Sequence, residues 1–135
     1  MSSSPDQPAS SRPTRPAILG LHHLKFAVSN ISISIAWYER VLGARHVTSL
    51  DHIDSTGVRF SAVCQMLCWG NILLELRQNT AQAAKDCGWD IVTMSIAGRT
   101  ELLQWMAWLD HCGTAHSPVL VGLRGWILVF QVRSV

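Results

Sequence analysis

The sequence predicts one α+β domain made of two related halves. Three observations support this: an apolar period of two gives way to a helical period twice along the chain, the two stretches keep a constant spacing, and the composition is that of a globular protein. Apolar residues make up 48% and charged residues 15% of the 135 positions. A chain of this length buries roughly two-thirds of its unfolded surface, so folding requires neither a disulfide nor a metal.

The first 17 residues differ from the rest of the chain. They hold four of the five prolines and five serines, and they contain no long apolar run. Such a composition cannot bury enough apolar surface to become ordered, and it lacks the apolar region of a secretory signal. We therefore expect a disordered Pro/Ser-rich tail over residues 1–17 and a single domain over residues 18–135.

The first half opens with a predicted strand, turn and helix. Apolar and polar residues alternate over residues 24–28, which is typical of a half-buried strand. Asn30 is a favourable N-cap for the helical apolar pattern that follows, and Gly43 provides a left-handed stop. Residues 21–43 are therefore predicted to form a strand followed by a helix.

A hairpin is predicted after this helix. A turn-rich stretch over residues 51–57 precedes a strand-like segment over 58–66, and a Trp-Gly-Asn turn leads to a second strand over 72–77. Residues 79–88 lose the strand pattern and are rich in Ala, Gln, Lys and Asp. This composition predicts a connector between the two halves.

The second half repeats the first. Residues 91–96 are predicted to form a strand, because Val92, Met94 and Ile96 alternate with Thr93 and Ser95. Residues 100–112 have a helical pattern that ends at Gly113. Three landmark pairs are each separated by 68 positions: Val28 and Ile96, Trp37 and Trp105, Gly57 and Gly125. A constant offset across three landmarks indicates an internal duplication.

Charge and composition exclude several classes of partner. Eleven Lys and Arg residues against nine Asp and Glu residues give a net charge of +2, and the cations are scattered. Neither a nucleic-acid-binding stripe nor a polybasic membrane patch is visible. The longest apolar stretch, residues 119–130, is well short of the ~20 residues that span a bilayer. The four cysteines lack CxxC spacing, and we interpret them as the reduced thiols of a cytoplasmic protein.

Four segments carry a resemblance to a known family. They are the strand HHLKFAV, the helix end WYERVLG, the strand NILLELR and, in the second half, LQWMAWLDHCGTAHSPV. Over about residues 19 to 130 the chain resembles the vicinal oxygen chelate (VOC) superfamily. That superfamily includes glyoxalase I, extradiol dioxygenases, fosfomycin-resistance enzymes and bleomycin-binding proteins.

The resemblance implies a fold of two βαβββ modules whose concave faces enclose a metal and substrate cavity. On this basis module one covers residues 18–78, the connector 79–88 and module two 89–135. The offset of 68 assigns the counterpart of Glu75 to position 143, beyond Val135. The second module is therefore expected to be truncated at its last strand, which would leave an unpaired sheet edge.

The resemblance also implies two metal ligands, His23 on the first strand and Glu75 on the last strand of module one. Alternation independently places both side chains opposite the apolar residues of their strands. An imidazole and a carboxylate suit Zn, Ni, Mn or Fe(II). The second-module counterparts are Ile91 and a position beyond the sequence, so the ligand set is incomplete in this chain.

A structural role for these residues is the alternative to metal binding. A carboxylate inside an apolar strand is costly to bury unless it is paired. His23, Arg59 and Arg77 are the candidate partners of Glu75, and a His23–Glu75 pair without metal accounts for the pattern equally well. His22 becomes the substitute ligand if the strand register shifts by one residue.

Further residues are candidates for catalysis or substrate binding. Glu75 and His116 are the predicted catalytic residues. Glu75 is proposed through the family resemblance, and His116 because a histidine with an unperturbed pKa near neutrality suits general acid/base catalysis. A solvated loop position is the alternative for His116. The predicted substrate-binding residues are Thr93, Ser95, Arg59 and Trp126.

The sequence leaves two classes of function open. An enzyme like glyoxalase I or an extradiol dioxygenase would use a divalent metal to chelate vicinal oxygens of a small substrate, as a lyase or dioxygenase. The alternative is a metal-free protein that binds a small molecule of the bleomycin type, or an inactive, degenerate family member. The resemblance also implies a homodimer.

Overall fold

The computed structural model describes residues 12–68 and 71–132 of the chain. Most of the predicted tail and two residues of the predicted Trp-Gly-Asn turn lie outside these ranges. Residues 12–22 contain neither helix nor strand and are exposed. Across the described residues, every helix is too short or too polar to cross a membrane.

The described residues form a five-stranded sheet, a separate two-stranded hairpin and three α-helices. In chain order the elements are β1 (His23–Val28), α1 (Ile31–Leu42), β2 (Arg45–His46), β3 (His52–Ile53), β4 (Arg59–Met66), β5 (Ile72–Gln78), α2 (Thr80–Asp86), α3 (Arg99–His111), β6 (Leu120–Gly122) and β7 (Gly125–Ile127). The α+β class predicted from the sequence is confirmed.

The five-stranded sheet belongs entirely to the first half. Its order is β1-β5-β4-β2, and β3 also pairs with β4. β1 runs parallel to β5 with Lys25 opposite Glu75, while β4 runs antiparallel to β5 with Val63 opposite Glu75. Because opposite residues in paired strands project to the same side, these three side chains share one face of the sheet.

Helix α1 begins and ends where the sequence predicted. The side chain of Asn30 accepts a hydrogen bond from the Ile33 N–H at 3.1 Å. Gly43 has φ of 67° and ends the helix, its own N–H donating to the Tyr38 carbonyl. A left-handed residue at this position favours glycine because it has no Cβ.

The core lies between α1 and one face of the sheet. Its buried members include residues from α1, β1, β4 and β5, together with Leu109 from α3. They are Val28, Ile31, Ile35, Trp37, Tyr38, Val41, Ala44, Ala62, Cys64, Leu74, Leu76 and Leu109. The apolar residues of the alternating strands therefore face α1, as their period of two predicted.

The second half attaches to α1 through α3 and the end of the described chain. Trp108 Nε1 donates to the Val41 carbonyl at 2.8 Å, and Arg40 Nη1 donates to the Cys112 carbonyl at 3.0 Å. The Phe130 ring stacks on Trp37 with centroids 6.2 Å apart. Helix α1 is thus packed between the sheet and elements of the second half.

The predicted strand over residues 91–96 is wrong. The segment is exposed, contains no strand and forms no backbone hydrogen bond with any other described residue. Its counterpart β1 is a strand because β5 supplies its hydrogen-bond partners. In the described second half the helix is followed by only the two short strands β6 and β7, and neither pairs with residues 91–96.

The predicted connector contains a helix that the sequence analysis missed. Helix α2 is capped by Asn79, whose side chain accepts from the Gln82 N–H at 3.0 Å. None of its residues is buried. Because α2 places no large apolar side chain in the core, its sequence has no apolar period to reveal it.

Candidate functional site

One face of the sheet carries a compact group of polar and charged side chains. We call the face turned away from α1 the open face. Alternation and register place His23 and Lys25 of β1, Glu75 and Arg77 of β5, and Ser61 of β4 on it. The apolar residues between them point to α1, where Ala62, Leu74 and Leu76 are buried and Leu24 and Phe26 are half-buried. The local sequence therefore determines which side each polar group takes.

Glu75 is the centre of this group. Its Oε2 accepts hydrogen bonds from Arg77 Nη2 at 2.9 Å and Nε at 3.2 Å, and from Ser61 Oγ at 3.1 Å. Only 12% of the Glu75 side chain is exposed, against 40% for Arg77. The largely covered carboxylate is therefore satisfied by a guanidinium and a hydroxyl.

Two further side chains approach the same carboxylate. His23 Nε2 lies 3.4 Å from Oε1 of Glu75, and Lys25 Nζ lies 4.0 Å from Oε2. Both are more exposed than Glu75, at 37% for His23 and 52% for Lys25. Of the three partners predicted for Glu75, His23 and Arg77 contact it, and Arg59 does not.

These contacts lower the pKa of Glu75. Partial burial raises the pKa of the carboxyl, but the hydrogen bonds from Arg77 and Ser61 and the charges of Lys25 and Arg77 outweigh it. Glu75 is therefore ionised at neutral pH. It acts as a fixed negative charge between two fixed positive charges.

His22 lies next to His23 but does not reach the carboxylate cluster. The two Nδ1 atoms are 2.8 Å apart, and the rings meet edge to face with centroids 5.1 Å apart. One ring must donate and the other accept for this contact to be a hydrogen bond. The predicted register of β1 holds, so the case in which His22 would replace His23 does not arise.

Arg59 lies in a different network. Its Nη1 donates to Asp51 Oδ2 at 3.2 Å and its Nη2 to Ser32 Oγ of α1 at 3.0 Å. The pairing of β3 with β4 shifts by one residue, so that His52 faces Ser61 whereas Ile53 faces Arg59. Such an irregularity redirects a side chain, which accounts for Arg59 leaving the face that carries Ser61.

Asp51 holds this second network together. Its Oδ1 lies 2.8 Å from His46 Nε2, and its Oδ2 accepts from Arg59. Burial raises the pKa of Asp51, but the hydrogen bonds and charges of His46 and Arg59 lower it by more. The net effect is a pKa below the ordinary value. The predicted substrate-binding role of Arg59 stays a prediction.

His116 is bound on both ring nitrogens. Nε2 lies 2.7 Å from Asp110 Oδ1, and Nδ1 donates to the Ser117 carbonyl at 2.7 Å. The hydrogen bond to Ser117 and the hydrogen bond and charge of Asp110 raise the pKa of His116. Both contacts favour the imidazolium, and they tie the end of α3 to the following loop. Its predicted catalytic role stays a prediction.

The other predicted substrate-binding residues also lie in the second half. Thr93 and Ser95 are exposed in the segment without secondary structure. Trp126 of β7 is half-exposed, with the Arg99 guanidinium 5.0 Å from its ring centre. A groove of 340 Å³ lies along α3, lined by Glu101, Gln104, Trp105 and Trp108. The groove shares no residue with the Glu75 cluster.

Two members of the cluster were missed by the sequence analysis. Lys25 stands two positions after His23, so the same alternation that placed His23 on the open face also placed Lys25 there. Ser61 gave no such signal, because a serine in a strand is compatible with either face. Its position depends on the register of β4 against β5, where Ser61 faces Arg77.

The predicted ion, whether Zn, Ni, Mn or Fe(II), does not fit the donors at this position. Within residues 12–68 and 71–132, no group of three or more His, Cys, Asp or Glu side chains is assembled for a metal. His23 and Glu75 supply one nitrogen and one carboxylate, and Arg77 already occupies Oε2. Lys25 and Arg77 add two positive charges that would repel a divalent cation.

Comparison with known proteins places the fold. No family model matches the chain, and neither does any curated protein sequence. A glyoxylase/bleomycin resistance protein/dioxygenase domain from Frankia sp. EAN1pec is 20% identical, with a TM-score of 0.64 over 87% of this chain and 92% of that one. Lactoylglutathione lyase from Agrobacterium tumefaciens is 12% identical, with a TM-score of 0.56 over 88% and 90%.

A third structure contains a metal and a ligand. It is a mutant of the fosfomycin resistance protein FosX from Listeria monocytogenes, complexed with Mn(II) and 1S,2S-dihydroxypropylphosphonic acid. It is 16% identical to this chain, with a TM-score of 0.57 over 86% of each. At these identities the likeness concerns the fold. The chain has the glyoxalase/bleomycin resistance/dioxygenase fold of the vicinal oxygen chelate superfamily, as its sequence resemblance predicted.

Proposed function

We propose that the open face of the sheet binds a small organic molecule without a divalent metal, as a binding protein of the bleomycin-resistance type. The observation that carries this proposal is the state of Glu75. Its Oε2 accepts from Arg77 and Ser61, and Lys25 lies beside it. The carboxylate that the resemblance assigns to a metal is already neutralised by protein cations.

The energies involved favour this assignment. Two unit charges 4 Å apart interact by about 4 kcal/mol at an effective dielectric constant of 20. A divalent ion at Glu75 would be attracted by the carboxylate but repelled by Lys25 and Arg77, whose nitrogens lie 4.0 and 2.9 Å from Oε2. It would also have to displace the hydrogen bonds of Arg77, which charge assistance strengthens.

A metal-dependent lyase or dioxygenase is the competing function. It is favoured by the 3.4 Å approach of His23 to Glu75, which brings together the two residues that the family resemblance assigns as ligands. This function would need ligands from outside the cluster. It would also give roles to His116 as a proton-transfer group and to Thr93, Ser95, Arg59 and Trp126 as substrate contacts.

Metal analysis separates the two functions. Untagged protein is loaded with Zn, Ni, Mn or Fe(II), dialysed and analysed for metal beside His23→Ala and Glu75→Ala. We expect substoichiometric metal that the two substitutions do not change. Stoichiometric metal that both substitutions remove would overturn the proposal in favour of the enzyme.

Ligand binding is tested directly by NMR. A chain of 135 residues labelled with ¹⁵N gives resolved amide spectra, and a set of anionic, neutral and cationic small molecules is added with EDTA present. We expect some members to shift the amides of β1, β4 and β5.

Sedimentation on the same samples tests the homodimer that the resemblance implies.

A further inference from the structure

We propose that the ligand of the open face is a small organic anion, held through a carboxylate or a phosphate-type oxyanion by Lys25 and Arg77. This inference rests on the proposed function and specifies its ligand class. It follows from the balance of charge on the open face, from unused hydrogen-bond donors, and from the fixed position of Glu75.

The charges on the open face are unequal. Register places Arg45 opposite Gln65 on the same face, one step along the strands from Val63 and Glu75. Along the described strands β1, β2, β4 and β5, this face holds three cationic side chains, Lys25, Arg45 and Arg77, and one anionic side chain, Glu75. With His23 neutral, the net charge of the face is +2, whereas the whole chain of 135 residues also carries only +2. The excess positive charge is concentrated where the proposed ligand would lie.

Both central cations have donors to spare. Lys25 Nζ approaches Glu75 only to 4.0 Å, outside hydrogen-bond distance, and its side chain is 52% exposed. Arg77 directs Nε and Nη2 to Glu75, and Nη1 has no acceptor among residues 12–68 and 71–132, so it remains for a ligand. The Arg77 guanidinium also lies 5.4 Å from the centre of the Phe60 ring, which limits its movement.

Glu75 orients the Arg77 guanidinium, because its carboxylate accepts two hydrogen bonds from that group. A guanidinium held by a buried carboxylate loses little further conformational freedom when it binds a ligand. The same carboxylate is mostly covered, at 12% exposed, so it offers little surface to a ligand cation. An incoming anion therefore meets exposed positive groups whose counter-charge lies beneath them.

The probes are phenylphosphonate, benzoate and the neutral benzamide. Each is titrated at constant ionic strength with EDTA present, and amide shifts of β1 and β5 are followed by NMR. We expect both anions to shift the amides of Lys25 and Arg77, and benzamide to leave them unchanged. The anion that binds more tightly shows whether the site prefers a phosphate-type group or a carboxylate.

The decisive variant is Lys25→Met, with Lys85→Met as its matched control. Lys85 is an exposed lysine on α2, outside the open face. Removing one charge near an exposed oxyanion is expected to weaken anion binding about threefold to tenfold, equivalent to roughly 1 kcal/mol. The control removes the same charge from the chain and is expected to leave the affinity unchanged.

The outcomes separate this inference from the proposed function. If benzamide binds as tightly as benzoate, or if Lys25→Met and Lys85→Met bind the anions equally well, the proposal of an anionic ligand is wrong. Metal-free binding, the proposed function, would be unaffected. Anion shifts on the open face that require added metal would overturn both. If none of the three probes binds, the proposal of an anionic ligand is wrong. Binding of neutral or cationic compounds from the wider set would still support the proposed function.

Discussion

The two halves of the chain share a sequence pattern but differ in what the pattern forms. Residues 23–28 alternate and form a strand on β5, whereas residues 91–96 alternate and remain exposed without a strand. The difference is that β1 has a neighbouring strand, β5, to accept and donate its backbone hydrogen bonds, whereas residues 91–96 have none among the described residues. Alternation therefore predicts that a segment can form a strand, but the strand forms only where a neighbouring strand supplies its backbone hydrogen-bond partners.

The halves also differ in how they are buried. The first half contributes two sheet faces, one packed on α1 and one carrying the Glu75 cluster. Among its described residues, the second half contributes Leu102 and Leu109 as buried residues, both from α3. The recognition chemistry and most of the core thus reside in the same half.

Hydrogen exchange is the measurement with the largest expected effect on this comparison. Amides at the centre of β5 should exchange only through global unfolding, and amides of residues 91–97 at nearly intrinsic rates. For a domain of ordinary stability the ratio is at least about a thousandfold. Equal protection in residues 91–97 and β5, measured by mass spectrometry, would remove the distinction between the halves.

Leu76→Ala should show the next largest effect. Leu76 is fully buried in β5 at 0% exposure, and loss of its side chain leaves a cavity under α1. We expect unfolding by urea to become easier by about 3 kcal/mol. The matched control is Leu123→Ala in the second half, a fully exposed leucine whose loss should change stability by less than about 0.5 kcal/mol. Similar effects from both would contradict the assignment of the core.

Helix caps give a smaller difference. Asn30→Ala removes the hydrogen bond to the Ile33 N–H at the start of α1, which packs on the core, and should cost about 1 kcal/mol of stability. Asn79→Ala removes the equivalent cap of α2, none of whose residues is fully buried. Fraying of α2 should leave the urea midpoint almost unchanged, and an equal loss would show that α2 is coupled to the core.

Acid should weaken the first half through Glu75. The folded-state pKa of Glu75 is lowered, so its stabilising contribution is complete above the ordinary glutamate pKa of about 4.3 and is lost as pH falls through the folded pKa. The advantage of the natural chain over Glu75→Gln in urea midpoint should therefore shrink below pH 4. The exposed Glu39→Gln serves as the control substitution.

Alkali should weaken the second half through His116, by the smallest effect. The folded-state pKa of His116 is raised, so its contribution is complete below the ordinary histidine pKa of about 6.5 and is lost as pH rises through the folded pKa. The midpoint difference between the natural chain and His116→Gln should decrease from pH 6 to pH 8.5. A difference that grows over this range would reverse the assignment, and His22→Gln is the control.

The sequence predicted the elements that have local signals. Asn30 and Gly43 mark the ends of α1, and the alternation of β1 and β5 placed the polar face. Residues 91–96 were mispredicted because pairing is a property of the neighbouring strand. Helix α2 was missed because a helix that places no large apolar side chain in the core leaves no apolar period.

The site was predictable to the extent that alternation determines it. Glu75 was expected to need a cationic partner, and Arg77 supplies it on the same strand face. Arg59 was placed wrongly as a candidate partner of Glu75 because the register shift between β3 and β4 cannot be read from residue types. Register between strands depends on the whole sheet, which no short motif specifies.

The parallel pairing of β1 with β5 also determines when the sheet can form. His23 pairs with Leu73, fifty positions later, whereas β4 and β5 are neighbours in the chain. Closing a loop of fifty residues costs about 3.5 kcal/mol in chain entropy before the contacts form. We therefore expect the β4–β5 hairpin to fold first and β1 to dock afterwards. On the ribosome, the backbone N–H and C=O groups of β1 stay without their β5 partners until Gln78 has emerged.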